Sequence, residues 1–211
     1  PRVAERAHEA GARVVVDATQ LAGAGIVDAV GWGVDALVTS GYKWLSAHGG
    51  VALLALAPDL VHRLPALVGW KGTRHPFAFD PLALRLADDA RRFELSTMSY
   101  ASAIGLESSI AMLSSLGFER IDRHARRLAT RLVDRVAELG WRPFRPLSDP
   151  SAASHIVSLR HADHDPGMTA ERLASESRII CGGRAGGLRI SLHAYNDGDD
   201  VDRLVESLSR L

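Results

Sequence analysis

The stretch DALVTSGYKWL, residues 35–45, reads as a buried strand that runs straight into a polar turn. Residues 36–39 are a short apolar and β-branched run, preceded by the turn of residues 31–35. The turn that follows puts Ser40, Tyr42 and Lys43 together at the strand end, where open parallel sheets place their ligands. Upstream, VVVDATQ at residues 14–20 repeats the design. The run at 13–16 is a second buried strand, Asp17 stands at its end and Gln20 just beyond. A third run, 51–56, follows Gly49 and Gly50. Runs that are apolar on every side point to strands covered on both faces, as in an α/β sheet. Residues 25–34 leave room for a short helix and hence a parallel crossover between the first two strands. The third follows too closely for that, so it is expected antiparallel or beyond a wide loop. Residues 2–12 carry a helical pattern that stops at Gly11, so the chain is read as beginning in mid-fold.

Working outward, residues 64–90 are rich in Pro, Gly, Trp and Phe without a period, which marks a long loop region of the kind that carries function. Helical spacing returns at 101–116 and 119–139, with Gly117 and Gly140 as stops. The tail alternates: strand 155–159, helix 169–175, strands 178–181 and 188–192, and a closing helix over 199–211 started by Asn196, Asp197 and Gly198. The boundary falls near 95–99, giving a first domain at 1–95 and a second, small α+β domain with its leading helices at 96–211.

Composition narrows the function classes. The chain has 25 basic and 25 acidic side chains, and this balance argues against a nucleic-acid or membrane-surface partner. Its longest apolar stretch, 50–58, is far short of the ~20 residues a membrane helix needs. The single cysteine, Cys181, excludes an intrachain disulfide and a multi-cysteine zinc site, and fits a reducing, cytoplasmic setting. The nine histidines show no metal-ligand spacing; His161 and His164 lie three apart in an Asp-rich loop expected to be exposed.

Taken singly, a strand-end Asp caps the next helix and a loop Lys is solvated. Together, D-A-T-Q, a G-x-D turn, a strand, S-G-Y-K-W-L and a glycine pair resemble the cofactor-lysine segment of class V aminotransferases and cysteine desulfurases, which are fold-type I pyridoxal-phosphate enzymes. The likeness continues through ARRFELST at 90–97 and LRISLHAYN at 188–196. It implies an α/β fold in which part of a large-domain sheet is followed by the small C-terminal domain.

That resemblance also implies roles. Lys43 would bond covalently to the aldehyde of pyridoxal 5'-phosphate and later serve as a base. Asp17 would keep the pyridine nitrogen protonated, Gln20 would donate to the phenolate oxygen, and Ser40 and Tyr42 would reach the phosphate. Tyr42 stands where many members have histidine, a pattern shared with kynureninase-like members. Thr97 is either the N-cap of the helix near Ala101 or a contact to the neighbouring subunit's cofactor phosphate in a homodimer with a shared site. Trp70, in VGWKG, either packs or joins that site. Arg189 would grip the substrate α-carboxylate, a task suited to a planar bidentate donor, or else pair with the last helix. Cys181 lies eight positions before Arg189, closer than in the desulfurases, and is read as a small packed cysteine.

Members of the family carry a glycine-rich phosphate turn and a ring-stacking residue ahead of the segment matched here. The sequence is accordingly read as the C-terminal portion of an enzyme acting on an amino acid by transamination, epimerisation or lyase chemistry. The alternatives are a kynureninase-like hydrolase and a cofactor-free domain with a role in assembly.

Overall fold

A computed structural model describes residues 1–80, 82–149 and 152–211. The chain divides into two compact units, Pro1–Ser115 and Leu116–Leu211, each built on its own sheet. The fold is α/β, with both sheets flanked by helices.

In the first unit, α1 (Arg2–Glu9) leads into β1 (Val15–Asp17), and the short α2 (Ala29–Trp32) crosses to β2 (Ala36–Ser40). Asp28 starts α2 by accepting from the Gly31 N–H, and Gly33 ends it at φ +68°, which a residue with a Cβ rarely adopts. β1 and β2 are parallel, with Asp17 opposite Val38, and β3 (Ala52–Leu56) runs antiparallel to β2. Both pairings match the spacing of the runs. Burial on both faces holds for β2 alone, where Ala36, Leu37 and Thr39 are buried. Val15 on β1 and Leu53 and Leu54 on β3 are exposed, because β2 is the only strand of the three with a neighbour on each side.

Asp35 fastens the start of this sheet. Its buried carboxylate accepts from the Val14 N–H at 2.7 Å and from Arg13, and lies 2.8 Å from His8 Nε2. Arg13 also bridges to Asp59 at 2.6 Å, on α3 (Pro58–Val61). The Val14 N–H above all, then His8 and Arg13, hold the Asp35 carboxyl far below the usual carboxylate range.

The 64–90 region contains short 3-10 turns at Trp70–Gly72 and Pro76–Ala78, with a third at Ala90–Phe93. Helix α4 (Tyr100–Leu116) follows. Ser99, not Thr97, supplies the capping oxygen, accepting from the Ser102 N–H at 3.3 Å.

The second unit begins with α5 (Phe118–Val136) and contains β4 (Arg142–Pro143), β5 (Ile156–Arg160), α6 (Pro166–Ser177), β6 (Gly182–Arg184), β7 (Gly187–Ser191) and α7 (Gly198–Leu208). Its antiparallel sheet runs β4-β5-β7-β6. Leu132, Leu159, Leu173 and Leu188 fill the core, each at most 1% exposed. The strand expected at 178–181 lies instead at Gly182–Arg184. Arg178, at φ 55°, closes α6, and Ala185 and Gly186 at positive φ make a two-residue hairpin between β6 and β7. Gly183 is there for close approach: a Cβ would stand 2.6 Å from the Gly167 backbone at the start of α6. Propensity disfavours glycine in strands, whereas this contact requires it. His161 and His164 are not a solvated pair; both rings pack on buried Trp141, His164 stacked at 5.7 Å.

Among the described residues, no single helix is long and apolar enough to cross a membrane.

Candidate active site

The parallel pair β1 and β2 ends in two adjacent turns, and five of the residues singled out above sit there. Asp17 closes β1; its Oδ1 accepts from the Thr19 N–H at 2.8 Å. Thr19 holds its carboxyl below the ordinary range, and the charge of Lys43 adds to the effect. The carboxylate therefore stays ionised at neutral pH. Lys43 Nζ also lies 5.6 Å from the centroid of the Tyr42 ring, and both side chains are exposed.

Hydrogen bonds and close packing tie this turn to its neighbours. Thr19 Oγ1 accepts from the Ser40 N–H at 3.0 Å, which ties the end of β2 to the turn after β1. Gln20 Oε1 accepts from the indole Nε1 of buried Trp44 at 3.0 Å, so the Gln20 amide is oriented with Nε2 as its donating side. Gly23 packs under the lysine turn; a Cβ there would stand 2.1 Å from the Trp44 carbonyl oxygen. On the far side α4 is pinned to the same turn. Ser109 Oγ donates to the Leu45 carbonyl, and Ser102 Oγ donates to the Gly49 carbonyl at 2.7 Å.

Thr19, Ser102 and Ser109 were not singled out from the sequence. The two serines carried a signal: they lie seven apart, two helical turns, on a helix whose other buried residues are Leu106 and Leu113. Thr19 carried none, because its partner Ser40 is distant in sequence.

Trp70 belongs to a second cluster in the same unit. Its ring meets Phe77 at 5.8 Å and Phe79 at 6.0 Å, Lys71 Nζ lies 5.1 Å from its centroid, and its Nε1 donates to Ser96 Oγ at 3.2 Å. A cavity of about 360 Å³ opens beside Trp70, His75 and Phe79. Thr97 is exposed, one residue past the Trp70 contact. Arg189 lies in the second unit, in the middle of β7, paired in register with Ser158 and Gly182. Cys181 precedes β6, packed against the core; burial pushes its thiol up, the reverse of what a thiolate nucleophile needs.

An ionised strand-end carboxylate, a lysine on the adjoining strand end and an amide with a fixed donor suit a pyridine ring carrying an aldehyde: a proton to hold on the ring nitrogen, an amine for the aldehyde and a donor for the phenolate. Comparison with known proteins identifies the family. The family model described as aminotransferase class-V matches residues 1–204, and the chain belongs to that family of pyridoxal-phosphate-dependent enzymes. Pyridoxal 5'-phosphate is the cofactor expected of it. The chain is 29% identical over 209 residues to an uncharacterized aminotransferase of Schizosaccharomyces pombe, covering 93% of this chain and 50% of that protein. It is 31% identical over 168 residues to the kynureninase of Bacillus thuringiensis, covering 77% and 39%. Its fold matches the apo cysteine desulfurase of Thermococcus onnurineus with a TM-score of 0.85 at 25% identity, over 99% of this chain and 54% of that one.

The expectation of a C-terminal portion is corrected by these matches. The family model runs from residue 1 to residue 204 and the structural likeness takes in 99% of the chain, so the family fold occupies almost all of it. The chain spans about half the length of the curated relatives it matches.

Proposed function

We propose that this chain performs pyridoxal-phosphate chemistry on an amino-acid substrate, with Lys43 as the covalent anchor. One observation carries the reading: Asp17 closes β1, and Lys43 stands in the turn that follows the adjacent parallel strand β2. When bound, the cofactor supplies an electron sink for the carbon next to the substrate nitrogen. Asp17 holds the proton on the ring nitrogen, and its ionisation at neutral pH supports that role. Gln20 donates its Nε2 hydrogen to the phenolate oxygen, and the Trp44 bond keeps it aimed. Lys43 would move protons at the substrate α-carbon. Ser40 and Tyr42 hold the phosphate, with Thr97 and Trp70 contributing across a homodimer, and Arg189 takes the α-carboxylate. Transamination, epimerisation and lyase chemistry all start from this set, in a cytoplasmic enzyme.

A kynureninase-like hydrolase is the second reading. Tyr42 before the lysine, Trp70, and the 31% identity to a kynureninase favour it.

The test is an absorbance scan of the protein with pyridoxal phosphate, then borohydride reduction and peptide mass spectrometry, with Lys43→Ala alongside. A reduced adduct on Lys43 that the variant lacks is expected. Labelling at Lys71, the one other lysine, that is indifferent to the substitution would favour the cofactor-free assembly role.

A further inference from the structure

Helix α5 carries six arginines, at 120, 123, 126, 127, 131 and 135, and the structure sorts them into two rows. Arg126 pairs with Asp122 at 3.7 Å, and Arg131 and Arg135 both pair with Asp202 of α7. Arg120, Arg123 and Arg127 recur at i, i+3 and i+7 and so share one face, together with His124. Among the described residues none of these three enters an ion pair.

That uncompensated row borders a cavity of about 430 Å³ within the second unit, whose remaining lining, Leu116, Ile121 and Ala194, is apolar. His124, on the same face, is held in place by the segment after β7. His124 Nε2 donates to the Asn196 carbonyl at 2.7 Å, which fixes the ring proton there and leaves Nδ1 to accept from Arg127 Nη2 at 3.4 Å. Asn196 Oδ1 accepts from the His193 N–H at 2.9 Å, and its Nδ2 donates to Asp200 at 3.0 Å. Like charges at helical spacing repel, and an anion seated between them removes that cost. Guanidinium forks match the oxygens of a phosphate two at a time. The volume far exceeds one phosphate, and the apolar lining offers burial to a carbon skeleton.

We propose that the α5 face formed by Arg120, Arg123 and Arg127, closed by His124 and Ala194, is a binding site for a small organic phosphate, separate from the residues assigned to the cofactor. Calorimetric titration of the full chain with AMP, adenosine and inorganic phosphate tests it, using wild type, Arg123→Gln/Arg127→Gln and Lys43→Ala. Expected are saturable AMP binding, weaker binding of inorganic phosphate and none of adenosine. The double variant should weaken AMP at least ~10-fold while melting as wild type does, and Lys43→Ala should leave AMP binding unchanged. AMP binding that survives the double variant, that disappears in Lys43→Ala, or that is absent at millimolar concentration overturns the proposal. So does binding confined to a single-stranded oligonucleotide with a steep salt dependence, the mark of an extended polyanion surface.

Discussion

Gly23→Ala tests whether the lysine turn is built by backbone packing. Gly23 has φ +100°, and a Cβ there would stand 2.1 Å from the Trp44 carbonyl oxygen, 2.3 Å from its carbon and 2.7 Å from the Leu45 nitrogen. All three obstacles are backbone, so no side-chain rotation relieves them. Ordinary contact begins at 3.4 Å, so the two backbones must part by about 1.3 Å. The φ value alone costs about 1–2 kcal/mol for a residue with a Cβ. Trp44 directly follows Lys43, so the displacement falls on the proposed covalent anchor. A shift of about 1 Å at a reacting group lowers rates on the order of 100-fold. The variant should melt several degrees below wild type, and borohydride trapping of pyridoxal phosphate at Lys43 should slow by that order. A variant that melts within about 1 °C of wild type and labels Lys43 at the same rate would refute the reasoning.

Three further outcomes follow from the same structure. Asp17→Asn should leave trapping at Lys43 in place but abolish turnover of an α-deuterated amino acid, read as loss of deuterium wash-out by mass spectrometry; unchanged wash-out would remove Asp17 from its role. Asp35 has a depressed native pKa, so its contribution to stability is complete above the unfolded value of about 3.9 and is lost as pH falls below it. Asp35→Asn should therefore flatten the acid limb of thermal melts between about pH 2 and 4, and a variant as acid-sensitive as wild type would contradict this. Leu132→Ala removes a fully buried side chain from the core of the second unit and should cost about 3 kcal/mol in denaturant melts, while a loss below about 1 kcal/mol would show that the core collapses around the gap.

How much of this was legible beforehand depends on how local each cause is. The three runs that became β1, β2 and β3 were readable because apolar clustering is a property of consecutive residues, while connection lengths only left room for a parallel first pair and put the third strand antiparallel or beyond a wide loop. Asp17, Gln20, Ser40, Tyr42 and Lys43 were readable because their strand ends carry a continuous motif, and the structure gathers them in neighbouring turns. The glycine strand at 182–184 was not readable, since what favours glycine there is the backbone of α6 lying against it. The face exposure of β1 and β3 was hidden for a similar reason. An apolar run declares what a strand would bury, but not what packs on it.

The missed residues share one property that bears on how the proposed site works. Thr19, Ser102 and Ser109 spend their hydroxyls on backbone groups of the turns around Lys43, and none needs to touch a ligand. A lysine on an exposed turn is ordinarily a mobile, solvated charge. Here its backbone is tied to β1 through Thr19, to Gln20 through Trp44, and to α4 through two serines. The backbone on either side of Lys43 is thus held by neutral hydrogen bonds, while the Asp17 and Lys43 side chains remain open to solvent. That division fits a site whose chemistry comes from a bound cofactor: the protein contributes rigidity and a fixed proton, and leaves the exposed ends of its two strands for the ligand.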